Sequence, residues 1–437
     1  MKSIVIFLFS FLIFFPFFIF ASLSYSSEDS VPERKDSSVL SRNCPQKDIF
    51  DVIFKKSFEK PESKGKVTIF IVPYIGYNPV TQFQFGAGGN ISWRLGDPGH
   101  TSLSAASVSA QITTKNQVIL QAKSNIYTNK NKWFLQGDWR FYLFNLNTYG
   151  LGTENGYNVP PVPMVTPDPN IVDTEITSYP MDFNWFKFHQ VFSRKIRSNL
   201  YAGIGYHLDY HYAIKDISLK LDSEDVVITP HYAYCQLHGL NPETYTSSGL
   251  SINCVYDTRD NIINPYKGYF INVNYRYNFT WLGSSANGSQ LWTEFRTYVG
   301  LSKRLPRHLL AFWYFGSFML SGVIPYLDLP ATGFEQMNSS GRGYDQGRWR
   351  GEDFVYSEVE YRFPISQCSQ VLGGVVFLNA TTASNKDMGI PLFGSIRPAA
   401  GFGVRIMVSK RSRLNLLIDA AIGEHSSGLY LQAQEAF

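Results

Sequence analysis

From Val67 to Phe437 the apolar residues recur with a period of two, in runs of roughly ten to fifteen residues. Tyr269, Ile271, Val273, Tyr275, Tyr277 and Phe279 alternate with Asn272, Asn274, Arg276 and Asn278. Leu414, Leu416, Ile418, Ala420 and Ile422 alternate with Arg413, Asn415 and Asp419. Between them, Phe354, Tyr356, Glu358, Glu360 and Arg362 fall on one face of a run whose other face carries Val355, Ser357, Val359, Tyr361 and Phe363. A soluble sheet hides its apolar face in a core, whereas a membrane barrel turns it to lipid and lines its lumen with the charged face. Runs of this length exceed the ~5–6 residues usual in soluble sandwiches and match tilted strands that cross a bilayer.

The start of the chain supports the second alternative. Lys2 is followed by an uncharged apolar stretch from Ile4 to Phe20 and then by small residues such as Ser24 and Ser26, the pattern of a secretory signal over residues 1–26. The first cysteine, Cys44, lies too far downstream for a lipoprotein signal. Past residue 26 no apolar segment approaches the ~20 residues a spanning helix needs, because AFWYFGSFMLSGVIPYL is interrupted by Gly316, Gly322 and Pro325. Aromatic residues nevertheless make up 16% of the chain, which suits aromatic girdles at both membrane interfaces. The net charge of +4, without a basic helical face, gives no ground for nucleic-acid binding.

Residues 27–66 are polar and contain one short segment of helical spacing, DIFDVIFKKSFEK. They read as a periplasmic tail or plug ahead of a barrel at 67–437. Strands are expected to begin near 67, 82, 101, 116, 131, 178, 199, 247, 268, 289, 307, 353, 370, 395, 413 and 427. Sixteen strands is an even number, as bacterial single-chain barrels require, and the fold class is therefore an all-β, antiparallel, transmembrane barrel. Short turns alternate with long excursions at 147–177, 214–246 and 322–352, which all fall on the outer side when both termini are periplasmic.

Two constellations carry chemistry in principle. His207, Asp209 and His211 share a strand face with Gly203 and Gly205 and could hold a metal or serve a lumenal hydrolase, against the plainer reading of a solvated polar face. No serine motif or paired carboxylates accompany them, so no enzyme, metal or cofactor is assigned. Of the cysteines, Cys44 and Cys368 both fall on the periplasmic side, where a disulfide between them could tie the tail to the rim, and Cys235 and Cys254 remain as the other pair; spacing alone does not choose among the three pairings that four cysteines allow.

At four places the chain resembles the BamA/TamA family of outer-membrane barrels, the bacterial surface-antigen family. VPYIGYNPVTQFQFGAGGN resembles its opening strands, and VYDTRDNIINPYKGYF resembles its turn after strand 8, with Asp257, Arg259, Asp260, Pro265 and Gly268. Arg342-Gly343-Tyr344 resembles its loop-6 motif, and RLNLLIDAAIGEHSSGLYLQAQEAF its closing strands, with Gly428, Tyr430 and Phe437 as the C-terminal signal. The resemblance implies that loop 6 enters the lumen and that Arg342 pairs with a strand-12 carboxylate, Glu360. On strand 13, Asn379 and Thr381 stand where the family usually has Asp and Gly, so Asn379 is expected to accept from Arg342 without adding charge, and an Asp at 379 to tighten the loop.

The resemblance also implies outer-membrane biogenesis, by insertion, translocation or transport, through a weak seam between the first and last strands. Gly86, Gly88 and Gly89, and Gly423 and Gly428, sit beside that seam. Its partners are the outer-membrane bilayer, client outer-membrane proteins and a periplasmic or lipoprotein component. Residues 27–66 are too few for the POTRA module that such proteins usually carry, which keeps a passive or structural channel open as the alternative.

Overall fold

Period-two alternation becomes sixteen antiparallel strands, each hydrogen-bonded to the next in chain order. The computed structural model describes residues 46–54, 67–154, 178–222 and 226–437, apart from positions 79, 98, 367, 411 and 434. The signal read at 1–26, Cys44 and most of 27–66 lie outside these residues. The strands are β1 (Thr68–Asn78), β2 (Gln82–Trp93), β3 (Ser104–Thr113), β4 (Val118–Tyr127), β5 (Trp133–Thr148), β6 (Tyr179–Arg197), β7 (Leu200–Asp216) and β8 (Tyr245–Asp257). They continue as β9 (Gly268–Asn278), β10 (Gly288–Gly300), β11 (Leu309–Gly322), β12 (Asp353–Pro364), β13 (Leu372–Ala383), β14 (Arg397–Ser409), β15 (Leu414–Gly423) and β16 (Ser426–Gln432). Each begins within three residues of its expected start.

The sheet curls until Cα atoms of β1 and β16 come within 8 Å, but among the described residues no hydrogen-bonded ladder joins them. The wall is inside out relative to a soluble protein. Ile71, Ile204, Ile252, Leu378, Phe402 and Ile422 are exposed on its outer face, while Asp138, Arg140, Arg276, Glu294, Glu360 and Arg405 are buried on its inner one. Among the described residues no helix is long and apolar enough to cross a membrane.

Connections differ at the two ends. At the turn end, β6 and β7 are separated by two residues; at the loop end, β11 and β12 are separated by residues 323–352. This long segment folds inward, and nearly every residue from Tyr326 to Glu352 is at least half-buried. A short helix, α1 (Ile49–Phe54), lies at the turn end, where Asp51 meets Lys410 at 3.0 Å and Gln46 Nε2 contacts Met407 Sδ at 3.5 Å.

At the loop end a second helix, α2 (Pro230–Leu237), starts on Thr229, whose hydroxyl accepts from Tyr232 N at 3.3 Å. Tyr234 Oη then donates to the Ile324 carbonyl at 2.8 Å, which docks the helix on the long segment. Arg350 holds that segment's own turn, its Nη1 donating to the carbonyls of Tyr326, Leu327 and Leu329 at 3.0 Å each. These contacts correct the pairing of Cys235 with Cys254, since both thiols are free. Cys235 is buried in α2 at the loop end, whereas Cys254 faces outward near the turn end of β8. The strand rise of ~3.3 Å per residue puts them tens of ångströms apart, far beyond disulfide reach. Cys368 is disulfide-bonded, and Cys44, proposed above as its partner, lies outside the described residues.

One buried carboxyl in this outer cap is sensitive to pH. Burial, opposed by backbone hydrogen bonds from Glu352 and Lys386, pushes the Glu352 carboxyl up to about 7. Its folded value lies above its unfolded one, so the native state holds the extra proton between the two. Stability is therefore present below the unfolded value and is lost as pH rises toward 7. Glu352→Gln removes the ionisation. Relative to the parent, its thermal stability in detergent should be higher at pH 8 than at pH 5 by ~3 kcal/mol at most. An equal difference at both pH values would exclude this origin.

Candidate functional site

The inner face of β12 presents Tyr356, Glu358, Glu360 and Arg362 in sequence, because every second side chain points into the lumen. Two carboxylates on one face repel unless cations stand between them, and here those cations come from elsewhere. Arg342, on the inward-folded segment, donates from Nη2 to both Glu358 and Glu360 and from Nη1 to Asp419 Oδ2 at 2.5 Å. Its guanidinium also lies 3.6 Å from the centre of the Phe377 ring. Arg342 is only 3% exposed, and Glu360 and Asp419 are fully buried.

The network extends on both sides. Arg362 Nε donates to Glu360 Oε2 at 2.6 Å, and Arg405 bonds Asp419 and, through Nε at 2.8 Å, Glu435. Three guanidiniums thus alternate with four carboxylates drawn from β12, β14, β15, the long segment and the stretch after β16. A guanidinium suits this position because its planar fork bonds several carboxylate oxygens at once.

Gly343 and Tyr344 fix the arginine's approach. Gly343 has φ +106°, and a Cβ there would lie 2.7 Å from the Cβ of Ala399, so only glycine fits. Its N–H donates to Tyr430 Oη at 2.9 Å, and Tyr344 Oη donates to the Pro398 carbonyl at 2.6 Å. Tyr344 is buried against Trp349, edge to face at 5.4 Å. At the segment's other shoulder Arg140 Nη1 donates to Asn338 Oδ1 at 2.7 Å while its Nε bonds Asp138 at 2.8 Å.

Asn379 takes a part different from the one expected. Its Nδ2 donates to the main-chain carbonyl of Arg342 at 2.9 Å, so it holds the backbone and does not accept from the guanidinium. The charge balance is carried instead by Glu358, directly across the ladder from Asn379, and by Asp419. Neither was singled out from the sequence, nor were Arg362, Arg405 and Glu435. Their shared signal is the alternation itself, since each falls on an inner-face position or just past a strand end. Thr381 is buried nearby on β13.

The turn after β8 is pinned from within. Arg259 bonds Asp257 through two parallel contacts of 2.9 and 2.8 Å, and Tyr127 Oη donates to Asp257 Oδ2 at 2.9 Å. Asp260 accepts from the N–H of Tyr266 at 2.9 Å and from Arg413 Nη1 at 2.7 Å, the latter reaching the turn between β14 and β15. Pro265 is buried, and Gly268 has φ +111° where a Cβ would meet the Thr258 carbonyl at 2.4 Å. These residues brace the turn end and leave no carboxylate free for a ligand.

His207, Asp209 and His211 all face the lumen but are not brought together on one ligand. His207 Nε2 pairs with Ser251 Oγ at 2.7 Å, and Asp209 with His189 and Arg276 at 2.7 and 2.8 Å. Asp209 is thus engaged by a cation and another histidine and does not orient His207. Among the described residues no cluster of His, Cys, Asp or Glu could hold a metal. Cys235, His231 and Asp216 also stand in line, at 3.5 and 2.8 Å, but burial and the nearby Asp216 push the thiol up to about 12. With no exposure, that cysteine is an inert packing residue.

Comparison with known proteins agrees with this architecture. Residues 84–410 match the Omp85 superfamily domain, and the chain belongs to that superfamily. Comparison with curated protein sequences gives no match. Among solved structures, BamA from Haemophilus ducreyi lacking POTRA domains 1-3 is 15% identical with a TM-score of 0.50, covering 86% of this chain and 70% of that one. CdiB from Escherichia coli is 10% identical with a TM-score of 0.52, covering 86% and 64%. The chain therefore spans less than two thirds of that CdiB, and at these identities the likeness is one of fold.

The network predicts two opposite-looking substitutions with the same sign. Arg342→Ala leaves Glu358 without its cation while Glu360 and Asp419 keep Arg362 and Arg405, a loss of roughly 3–5 kcal/mol that should leave the barrel intact and the 323–352 segment open to protease. Asn379→Asp replaces a donor with a fifth carboxylate, beside Glu358, and loses the bond to the Arg342 carbonyl. It should loosen the segment by ~1–3 kcal/mol, measured as faster limited proteolysis. Slower proteolysis of Asn379→Asp would restore the expectation drawn from the family.

Proposed function

We propose that this Omp85-superfamily barrel resides in the outer membrane and handles other polypeptides there, inserting or translocating them, with residues 323–352 as a lumenal plug. On this reading Arg342-Gly343-Tyr344 acts as the loop-6 motif and Arg342 as its anchor. The observation that carries the proposal is the combination of a guanidinium-locked plug with an unladdered seam between β1 and β16. A plug that occupies the lumen argues against a wide aqueous pore, and a seam with no ladder among the described residues is a place where an incoming strand can pair. Ile69, Ile71 and Tyr77 are exposed on β1, facing lipid at that edge.

The remaining parts follow from the same reading. Residues 1–26 serve as the signal peptide and 27–66 as a periplasmic segment. Client outer-membrane proteins are the substrates, and a periplasmic protein or lipoprotein delivers them. No chemical step is assigned: Asp209 is held by His189 and Arg276, His207 by Ser251, and burial keeps the Cys235 thiol protonated.

Depletion of the protein should lower the abundance of a subset of outer-membrane proteins, measured by quantitative membrane proteomics. An unchanged outer-membrane proteome would overturn the reading. In planar bilayers the intact protein should give small, irregular currents, and Arg342→Ala larger ones. Large steady currents from the intact protein would favour the passive channel instead.

A further inference from the structure

The turn end of the lumen is occupied by the chain itself. After β16 ends at Gln432, the residues Glu435, Ala436 and Phe437 lie buried within the wall, in no regular secondary structure. Each makes a distinct contact. Glu435 accepts from Arg405 Nε at 2.8 Å and from Asn264 Nδ2 at 3.4 Å, with Asn415 donating to the same carboxylate. The Ala436 carbonyl accepts from Ser339 Oγ of the long segment at 2.5 Å. The Phe437 carbonyl accepts from Arg362 Nη2 at 3.1 Å, and its ring lies 5.3 Å from Trp313 and 6.2 Å from Tyr298.

The two sides of this contact differ in kind. Arg405, Arg362, Trp313 and Tyr298 stand on four wall strands whose positions are set by ladders. The occupant is an irregular peptide held by side chains. Such a cleft reads three things in order: a carboxylate, a main-chain carbonyl, and an aromatic ring two positions after the carboxylate. The occupant also has another place to go. Among the described residues β16 pairs with β15 only as far as Leu417 opposite Gln432, so the recorded ladder stops short of residues 414–416 of β15. In lipid, an unpaired strand end favours continuation of the ladder.

We propose that this cleft is a peptide-binding site, loaded here in cis by residues 435–437, that accepts in trans an extended peptide carrying an acidic residue and, two positions later, an aromatic one. Tethering gives the cis occupant an effective concentration on the order of millimolar, so it excludes a dilute competitor while it stays in place. Exchange removes the Ala436–Ser339 contact and so reaches the plug directly. The site is independent of whether the barrel acts in membrane assembly, because its test reads binding alone.

The test uses the full chain purified in detergent and a fluorescent peptide of sequence Leu-Gln-Ala-Gln-Glu-Ala-Phe. The double variant Glu435→Ala/Phe437→Ala vacates the cleft. By fluorescence anisotropy it should bind the peptide in the micromolar range, whereas the parent protein should bind at least about tenfold more weakly. Replacing the peptide's Glu by Gln or its Phe by Ala should each weaken binding at least about tenfold. If the double variant fails to give the heat-modifiable band of a folded barrel, Glu435→Gln takes its place with the same peptide. Equal binding by parent and vacated proteins, no binding by the vacated one, or indifference to the acid and the ring would overturn the proposal.

Discussion

The structure turns on one guanidinium. Arg342 bonds carboxylates from β12 and β15, two strands separated in the sheet by β13 and β14. Those carboxylates are tolerable inside the wall only because Arg342, Arg362 and Arg405 stand between them. A buried ion pair adds little net stability compared with well-packed apolar residues, but breaking one is costly because the surviving charge has no water to turn to. The network therefore specifies position more than it adds stability: with Arg342 elsewhere, Glu358 is left without its guanidinium, and Glu360 and Asp419 keep Arg362 and Arg405 alone. This fixes a long connecting segment inside the barrel where hydrophobic packing alone would allow many placements.

The strands were legible in the sequence to within a few residues because lipid and lumen impose opposite demands on alternate positions. A run such as Val355 to Phe363 has one solution, and a one-residue slip would turn Glu358 and Glu360 into lipid. The lumenal partnerships were less legible. The inner face of β12 was read correctly, yet which acid meets which arginine depends on the stagger between strands and on the path of residues 323–352. Glu358 was placed on the proper face without a partner, Asp419 was seen only as a member of an alternating run, and Arg405 was not read at all. At Asn379 the resemblance directed attention to the right residue for the wrong bond, because an amide can donate to a carbonyl where an aspartate cannot. For the cysteines, the topology placed Cys368 at the turn end, but spacing carried no information on which thiols pair.

The plug and the seam are not separate features. A glycine in a strand ordinarily weakens it by removing side-chain packing, which is how Gly423 and Gly428 read in isolation. In the structure, a Cβ at Gly423 would lie 2.6 Å from the Tyr344 ring, and one at Gly428 would lie 2.3 Å from Tyr430 Oη. The two glycines open room on the inner face of the last strand pair, and the plug uses it. Tyr344 settles against Gly423, and Tyr430 Oη takes the Gly343 N–H.

The weakness of the final strands is thus offset by the docked segment. Among the described residues β16 is the shortest strand, with seven residues, and no ladder joins it to β1. Its inner face therefore depends on contacts with residues 342–344 more than any central strand does. Withdrawing Arg342 from its carboxylates would take Gly343 and Tyr344 with it and leave β15 and β16 with unfilled space and an unmatched hydroxyl. The position of residues 342–344 is for this reason tied to the packing of β15 and β16, through the contacts that the ion-pair network at Arg342 holds in place.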